Sequence, residues 1–263
     1  QLGFGFDTQG WNEIVLSRLL VDRLLPEELD RVLYLDGDTL VVGSLEPLWK
    51  TDLRGCPLAA SVEPTANHAR KRRLGLEGLP YFNSGVLLFD LKQWRQKDCG
   101  SRILEYYRQM GGNLFAPDQD AINGALKGEI APLAPNCNFY NIYWDYPYRA
   151  LVKIHLPAPY LSEREFREAV EHPVVLHFLG EDRPWRRGNH HRYAWAYEKY
   201  LALTPWRDTP RERGWEVALW GYFVFRKLMK PFPLLQYRII DRLIPAVMKV
   251  RKRRRTKATR DER

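Results

Sequence analysis

The chain has 263 residues, with 41 Lys and Arg against 32 Asp and Glu, and 45% of its residues are hydrophobic. This length and apolar content suffice for one large domain with a buried core and exclude a chain that is disordered throughout. The three cysteines form no Cys-x-x-Cys pair, which argues against a structural zinc site or a disulfide framework and indicates a reducing, cytosolic setting. The longest strongly apolar run, residues 217–225, is far shorter than the roughly 18–20 residues that cross a bilayer.

The net charge of +9 lies mostly at one end of the sequence. Residues 249–263 contain nine Lys and Arg and two acidic residues, a net of +7, so the other 248 residues carry only +2. A nucleic-acid binder usually spreads its basic residues over one face of the fold. A basic terminal segment that follows aromatic residues favours an anionic membrane surface as partner and argues against nucleic acid.

Helical and strand patterns alternate along the chain. In order, they predict a helix at 12–25, strands at 31–35 and 39–42, a short helix at 45–49, a strand at 58–62, a basic loop at 67–73, a strand at 86–89, helices at 91–110 and 117–126, a strand at 173–178 and a polar loop at 180–191. The alternation predicts an α/β fold with a mostly parallel central sheet.

An acidic pair directly follows the first predicted strand. Asp36 and Asp38 flank Gly37, and in an extended segment residues two apart point to the same face. Both carboxylates can therefore bind one hard cation, and Gly37 leaves room for close approach of a ligand. Two aspartates in a surface turn would give the same letters, but the preceding strand favours a site at the edge of a sheet.

A single histidine lies at the end of the last predicted strand. Taken alone, His177 is more often a packed or capping side chain than a metal ligand. A neutral imidazole beside two carboxylates would form a mixed nitrogen and oxygen site, which suits Mn²⁺ better than Ca²⁺ and leaves Mg²⁺ as an alternative.

Five blocks of the sequence, in this order, resemble glycosyltransferase family 8, the retaining nucleotide-sugar transferases that include lipopolysaccharide galactosyl- and glucosyltransferases. The blocks are residues 17–19, 31–42, 82–90, 117–120 and 177–185. An Asp-x-Asp pair alone is a weak signal, whereas five blocks in order are a specific one. We therefore expect a Rossmann-like, GT-A type catalytic domain at residues 1–205, an aromatic and basic helical extension at 206–248 and a polybasic tail at 249–263.

The resemblance implies roles for individual side chains. Asp36, Asp38 and His177 would hold the metal ion, Mn²⁺ or Mg²⁺, against the diphosphate of a UDP-sugar. Gly180 and Arg183 would contact the same diphosphate, although the family usually has lysine where Arg183 stands. The positions around the donor sugar are matched by Arg18, Asn83, Ser84, Asp118 and Gln119.

The implied reaction moves a glucose or galactose to a glycan or glycolipid acceptor in bacterial surface polysaccharide or lipopolysaccharide synthesis. Arg183 and the metal ion would stabilise charge on the leaving diphosphate. Retention of configuration ordinarily requires a carboxylate nucleophile, but the matching side chain is Gln119, so the family is described as reacting on one face of the sugar. Asp118 or Asp120 is then a hypothetical transient partner.

The family's first strand and helix, which hold the base and ribose, have no match ahead of residue 18. The chain begins with Gln1. We therefore expect it to start inside the catalytic domain and to bind UDP-sugars poorly.

Three further segments leave alternatives open. The basic segment 67–73 is expected to be a solvated loop, with an anionic acceptor as an alternative ligand. The tyrosine-rich segment 140–148 either stacks on acceptor sugars or packs in the core. Residues 215–250 favour a peripheral helix on the inner face of the plasma membrane over a helical cap on the catalytic domain.

Two other functions compete with the transferase. Residues 35–40 also fit a haloacid-dehalogenase phosphatase with Asp36 as nucleophile and Asp38 as acid and base, but that function leaves 177–185 unexplained. A catalytically silent sugar-binding or membrane-adaptor protein would keep the fold without needing the metal ligands.

Overall fold

The computed structural model describes residues 13–112, 114–155 and 161–246. The described strands are β1 (Arg31–Leu35), β2 (Thr39–Val41), β3 (Leu58–Val62), β4 (Phe82–Asp90), β5 (Ile130–Leu133) and β6 (Val175–His177). A 3₁₀ helix, Glu13–Leu20, continues into α1 (Val21–Leu24), and a second 3₁₀ helix spans Pro135–Asn138. The remaining helices are α2 (Glu46–Trp49), α3 (His68–Arg73), α4 (Leu91–Gln96), α5 (Cys99–Gln109), α6 (Pro117–Ala125), α7 (Ile142–Asp145), α8 (Tyr148–Ile154), α9 (Glu163–Glu171), α10 (Ala194–Leu201), α11 (Glu216–Met229) and α12 (233–246).

Four strands form the central sheet in the order β1, β4, β3, β5. Strands β1, β3 and β5 run in one direction, whereas β4 lies reversed between β1 and β3 and pairs antiparallel with both. We expected a mostly parallel sheet. Three of the four strands do run in the same direction, but β3–β5 is the one parallel pair among the described strands, so the expected parallel pairing is wrong. The reason is that the connection from β3 to β4 stays at one edge of the sheet instead of crossing its face.

Helices cover both faces of the sheet and complete its core. Strand β4 is the most buried strand of the central sheet, and its Leu87 and Phe89 pack in a cluster with Trp94 of α4. The helix predicted at 91–110 is two helices, because Asp98 adopts a left-handed conformation with φ 47° between α4 and α5. A smaller sheet pairs β2 with β6 in antiparallel register.

The basic segment 67–73 is a helix, so the expected solvated loop is wrong. Asn67 caps α3 by accepting a hydrogen bond from the backbone N–H of Arg70 at 2.9 Å, as an N-cap side chain does. Arg70 turns inward to an ion pair with Asp120 at 2.7 Å, and Lys71 is buried. Asn67 is a favoured helix N-cap residue and could have indicated this helix, but the run of basic residues after it favoured a loop.

The C-terminal extension packs on the rest of the chain through α11 and α12. Arg226 of α11 pairs with Asp145 and, at 3.6 Å, with Asp182. The Tyr237 hydroxyl of α12 donates to the Thr65 carbonyl at 3.3 Å. The described part of this segment is thus the helical cap that the sequence disfavoured, while the tail at 249–263 lies outside the described residues. Within the described ranges, every helix is too short or too polar to cross a membrane.

Candidate active site

The topology brings the polar ends of several strands to one edge of the sheet. Asp36 follows β1 and Glu63 follows β3, and these strands run in the same direction. Strand β4 is reversed, so its beginning, with Asn83 and Ser84, lies at that same edge. The Asp36 N–H donates to the Gly85 carbonyl at 2.8 Å, which joins the two segments directly.

The second sheet brings His177 to the acidic pair. Register in that sheet places Thr39 opposite His177, and the Phe178 N–H donates to the Asp38 carbonyl at 2.9 Å. His177 Nε2 then lies 3.1 Å from Asp38 Oδ1 and 4.0 Å from Asp36 Oδ2. Ligand atoms of the three side chains all lie within 4.8 Å of one another.

A hydrogen-bond chain behind His177 fixes which ring nitrogen faces the aspartates. Asn138 donates through Nδ2 to Asn83 Oδ1 at 2.8 Å, so its own Oδ1 accepts from His177 Nδ1, also at 2.8 Å. With Nδ1 protonated, a neutral His177 turns the lone pair of Nε2 towards a carboxylate, which is also an acceptor. A proton on Nε2 or a divalent cation between the two groups removes this conflict, so the donor set fits a metal ion.

Residue 85 must be a glycine in this arrangement, because a side chain there would overlap the His177 ring. A Cβ atom built on Gly85 would lie 2.1 Å from Cε1 and 2.6 Å from Nδ1 of His177. These separations are far inside van der Waals contact, and His177 is itself fully packed, with 2% exposure. The glycine therefore allows the imidazole to lie against β4.

Arg18 connects the acidic pair to α6. It contacts Asp36 Oδ1 at 2.8 Å and Asp118 Oδ2 at 3.2 Å, and it donates to the Ser84 carbonyl at 2.9 Å. Burial works against its charge, but Asp118 and Asp36 hold the pKa of Arg18 above its usual value. Tyr34 donates to the same oxygen, Asp36 Oδ1, at 2.7 Å, which leaves Oδ2 directed towards His177.

Gln119 is held at both ends of its side-chain amide. Its Oε1 accepts from the Ser84 N–H at 3.0 Å, and its Nε2 donates to the Tyr81 hydroxyl at 3.1 Å. Asp118 beside it accepts from the Ser84 hydroxyl at 2.8 Å. Both side chains come from the first turn of α6, where the helix dipole favours negative charge.

Arg183 lies on the other side of the acidic pair. Its Nη2 is 3.2 Å from Asp38 Oδ2, its Nε donates to the Gly180 carbonyl at 2.8 Å, and its guanidinium lies over the Trp185 ring. Burial would raise the pKa of Asp38, but His177 and Arg183 together hold it below its ordinary value. A cleft of about 500 Å³ is lined by every expected site residue except Gly180 and Asp120. We call it the donor cleft, after the role that the sequence predicts for its residues.

Asp120 does not reach the donor cleft. Its carboxylate is bound by Arg70, by the Tyr81 hydroxyl at 2.6 Å and by the N–H groups of Phe115 and Ala116. These contacts satisfy it as a structural group at the start of α6. The hypothesis that Asp120 is a transient partner of the sugar is therefore wrong, and Asp118 is the carboxylate that faces the cleft.

Sequence reasoning missed three side chains of the site. Glu63 follows a buried strand as Asp36 does, and its Oε2 accepts from the Tyr140 hydroxyl at 2.9 Å, so the same sheet-edge argument could have found it. Tyr34 lies within the pattern of strand β1, two residues before Asp36, and nothing in that pattern indicates its hydrogen bond to Asp36. Asn138 lies in a 3₁₀ helix remote in sequence from His177, and no spacing pointed to it. Tyr140 and Tyr143 are buried, which favours packing in the core over stacking on acceptor sugars for this segment.

Comparison with known proteins decides the family. The family model described as glycosyl transferase family 8 matches residues 5–189. The chain belongs to this family. The galactosyltransferase LgtC, solved in complex with donor and acceptor sugar analogues, superposes with a TM-score of 0.64 at 28% identity, covering 78% of this chain and 74% of LgtC. The fold is accordingly the GT-A type α/β fold that the sequence predicted.

Two curated relatives extend the similarity. General stress protein A of Bacillus subtilis is 28% identical over 188 residues, which cover 70% of this chain and 63% of that protein. A lipopolysaccharide 1,2-glucosyltransferase of Escherichia coli K12 is 29% identical over 245 residues, which cover 91% of this chain and 67% of the enzyme. The family 8 chain thus spans about two thirds or less of the length of these relatives.

Proposed function

We propose that this family 8 chain is, or belongs to, a metal-dependent retaining hexosyltransferase that uses a UDP-sugar. The observation that carries the proposal is the convergence of Asp36, Asp38 and His177, with the unprotonated nitrogen of a neutral His177 aimed at Asp38. Mixed nitrogen and oxygen ligands suit Mn²⁺, with Mg²⁺ as the alternative. When bound, the cation supplies positive charge against the departing diphosphate.

Arg183 is the side chain best placed to bind the diphosphate. It lies beside Asp38, and its aromatic and carbonyl contacts orient the guanidinium. A planar guanidinium can donate two parallel hydrogen bonds to a phosphate, whereas a lysine would provide a point charge. Gly180, with φ 84°, gives the loop a left-handed turn and leaves its backbone free of a Cβ that would meet the ligand.

Gln119 and Asp118 face the position that we assign to the donor hexose. Gln119 is an amide and a poor nucleophile, and its fixed position suits a hydrogen bond to the sugar instead of covalent attack. Asp118 supplies a negative charge near the carbon that becomes electron-poor, although Arg18 offsets part of it. This arrangement supports reaction on one face of the sugar, with Asn83 and Ser84 forming the floor of the cleft.

The acceptor is a glycan or glycolipid of a bacterial surface polysaccharide. Support comes from the lipopolysaccharide glucosyltransferases among the relatives. A phosphatase of the haloacid-dehalogenase type is not supported, because the chain belongs to family 8 and Asp36 is bound by Arg18 and Tyr34.

We further propose that the catalytic unit, residues 1–205, is carried to the cytoplasmic face of the membrane by its C-terminal extension. One stripe of α11 exposes Val217, Trp220 and Leu228, of which Leu228 is 70% exposed, and Phe232 follows. Exposed Lys227 and Lys230 accompany them, and the tail at 249–263 carries +7. Apolar and basic residues together are complementary to an anionic bilayer surface.

The test uses the whole protein to which this chain belongs, because the chain alone is expected to bind UDP-sugars poorly. Release of UDP from UDP-glucose and UDP-galactose is measured with Mn²⁺, after chelation by EDTA and with Asp38→Asn. We expect release from one of the two sugars that requires the metal and falls at least about 100-fold in the variant. Asp208→Asn, at an exposed position far along the chain, is the matched control and should behave as the wild type. Equal release with and without metal would refute the proposal.

A further inference from the structure

A second pocket with a basic lining lies between α3, α8 and α12. Its volume is about 570 Å³, and it contains Lys71, Lys153 and Arg238 with one carboxylate, Asp241. Asp241 already accepts from the Asn67 side chain at 2.7 Å. The pocket therefore has an excess of positive charge, and we call it the basic pocket.

The cations of this pocket differ in burial. Lys71 is 5% exposed, whereas Lys153 and Arg238 are exposed at the rim. Neither Lys153 nor Arg238 forms an ion pair within the described ranges of the chain, so both can meet a ligand. Burial lowers the pKa of the Lys71 amine, and a negative ligand beside it would favour the charged form again. A buried cation with two exposed ones at the entrance is an arrangement that suits a phosphate group.

An intermediate groove of about 370 Å³ lies between the basic pocket and the donor cleft and shares lining residues with both. Gln119 lines both the donor cleft and this groove. At its other end, the groove and the basic pocket share Asn67 and Asp241 as a common wall. Glu63 of the groove accepts a hydrogen bond from Asn83 of the donor cleft at 3.4 Å, and Asn67 of the basic pocket follows four residues later. The backbone from Glu63 to Asn67 spans at most about 14 Å, so a few sugar units suffice to follow the groove.

We propose that the groove and the basic pocket bind an acceptor glycan that carries a phosphate monoester a few sugars away from the hydroxyl that receives the hexose. Lys71, Lys153 and Arg238 bind the phosphate and so hold the acceptor in register with the donor cleft. This inference rests on the proposed transferase function and adds the chemical class of its acceptor. It also gives α3, whose basic residues the donor cleft does not use, a role in acceptor selection.

The test is a calorimetric titration of the full chain with galactose 6-phosphate, inorganic phosphate and galactose. We expect both phosphates to bind, the sugar phosphate more tightly, and galactose to bind at least about tenfold more weakly. The variant Lys153→Glu/Arg238→Glu changes two exposed side chains and should weaken galactose 6-phosphate binding at least about tenfold. Lys92→Glu, an exposed lysine on α4, is the matched charge control and should leave the affinity unchanged.

Two results would overturn the inference: no binding of galactose 6-phosphate to the wild type, or equal affinity in the wild type and the double variant. Binding of inorganic phosphate without the sugar phosphate would overturn the acceptor assignment as well. UDP release by the whole protein to which this chain belongs is measured in parallel. If UDP is not released but phosphate binding is sensitive to the double variant, the transferase proposal is wrong and the phosphate site in the basic pocket is supported. If UDP is released but phosphate does not bind, the transferase is supported and the basic-pocket inference is wrong.

Discussion

The donor cleft and the C-terminal extension are built in opposite ways. In the cleft, Asn138 holds His177 through Nδ1, and Arg18 contacts Asp36, Ser84 and Asp118. In the extension, α11 attaches through the ion pair of Arg226 and the buried Leu219, while Trp220 remains 62% exposed. Transfer chemistry requires side chains fixed to a fraction of an ångström, whereas the membrane contact that we propose for the extension requires accessible apolar groups. We call the donor cleft with its fixed side chains the locked region. Single substitutions there should strongly weaken metal binding, whereas comparable substitutions in the extension should be tolerated.

The largest effect is expected from Gly85→Ala. The new Cβ overlaps His177, so the imidazole must leave its position and the chain from Asn138 to the aspartates breaks. We expect Mn²⁺ affinity, measured by electron paramagnetic resonance, to fall roughly 100-fold or more. Gly221→Ala on α11 is the matched control, because nothing lies within 4 Å of its Cβ and alanine suits a helix better than glycine. If both alanine variants bind Mn²⁺ like the wild type, the cleft is not locked in this way.

A smaller effect is expected from Asn138→Ala. This residue orients His177 from behind and is a positioning residue, not a ligand. We expect Mn²⁺ affinity to fall about 10- to 100-fold while overall folding is retained, as is typical of the groups that support metal ligands. Asn136→Ala, two residues earlier and partly exposed, provides the control. A fall in thermal stability without any change in Mn²⁺ affinity would show that Asn138 has only a structural role.

The contrast between the two regions also explains what the sequence could predict. Strands β1, β3 and β6 and the pair Asp36 and Asp38 were predictable because short apolar runs and the letters after them are local signals. The reversal of β4 was not, since strand direction depends on how the connection runs and not on the residues of the strand. Asn138 was equally hidden, because its partner His177 is 39 positions away.

In the C-terminal extension, the informative substitution is the pair Trp220→Ser/Phe232→Ser. Both rings are exposed, so the fold should tolerate the change, whereas removing two apolar anchors should weaken binding to phosphatidylglycerol vesicles at least about tenfold. Sedimentation with anionic vesicles measures the binding, and vesicles of phosphatidylcholine alone test the contribution of charge. Trp49→Ser removes an exposed tryptophan on α2 and should have no effect. Unchanged sedimentation of the double variant would refute the proposal that the extension binds a membrane.

The smallest effect concerns the boundary between the two regions, where His191 is buried against Trp144 and Phe178. Burial, together with the charge of Arg226, lowers the pKa of His191 to about 4, against about 6.5 for an unperturbed histidine. The unfolded chain therefore binds a proton before the folded one does, and the stability that His191 contributes as a neutral group is lost as the pH falls from about 6.5 towards 4.

For this histidine alone, the free energy of unfolding should fall by about 1 kcal/mol between pH 7.5 and pH 5.5. Urea denaturation at both pH values measures the difference, and His191→Gln should reduce it by about that amount whatever the variant's absolute stability. His172→Gln, at an exposed position, should leave the difference unchanged. Equal pH dependence in the wild type and His191→Gln would mean that the ring can take up a proton without disturbing α11. The packing around His191 would then tolerate a charge, and the fixed side chains would be limited to the donor cleft.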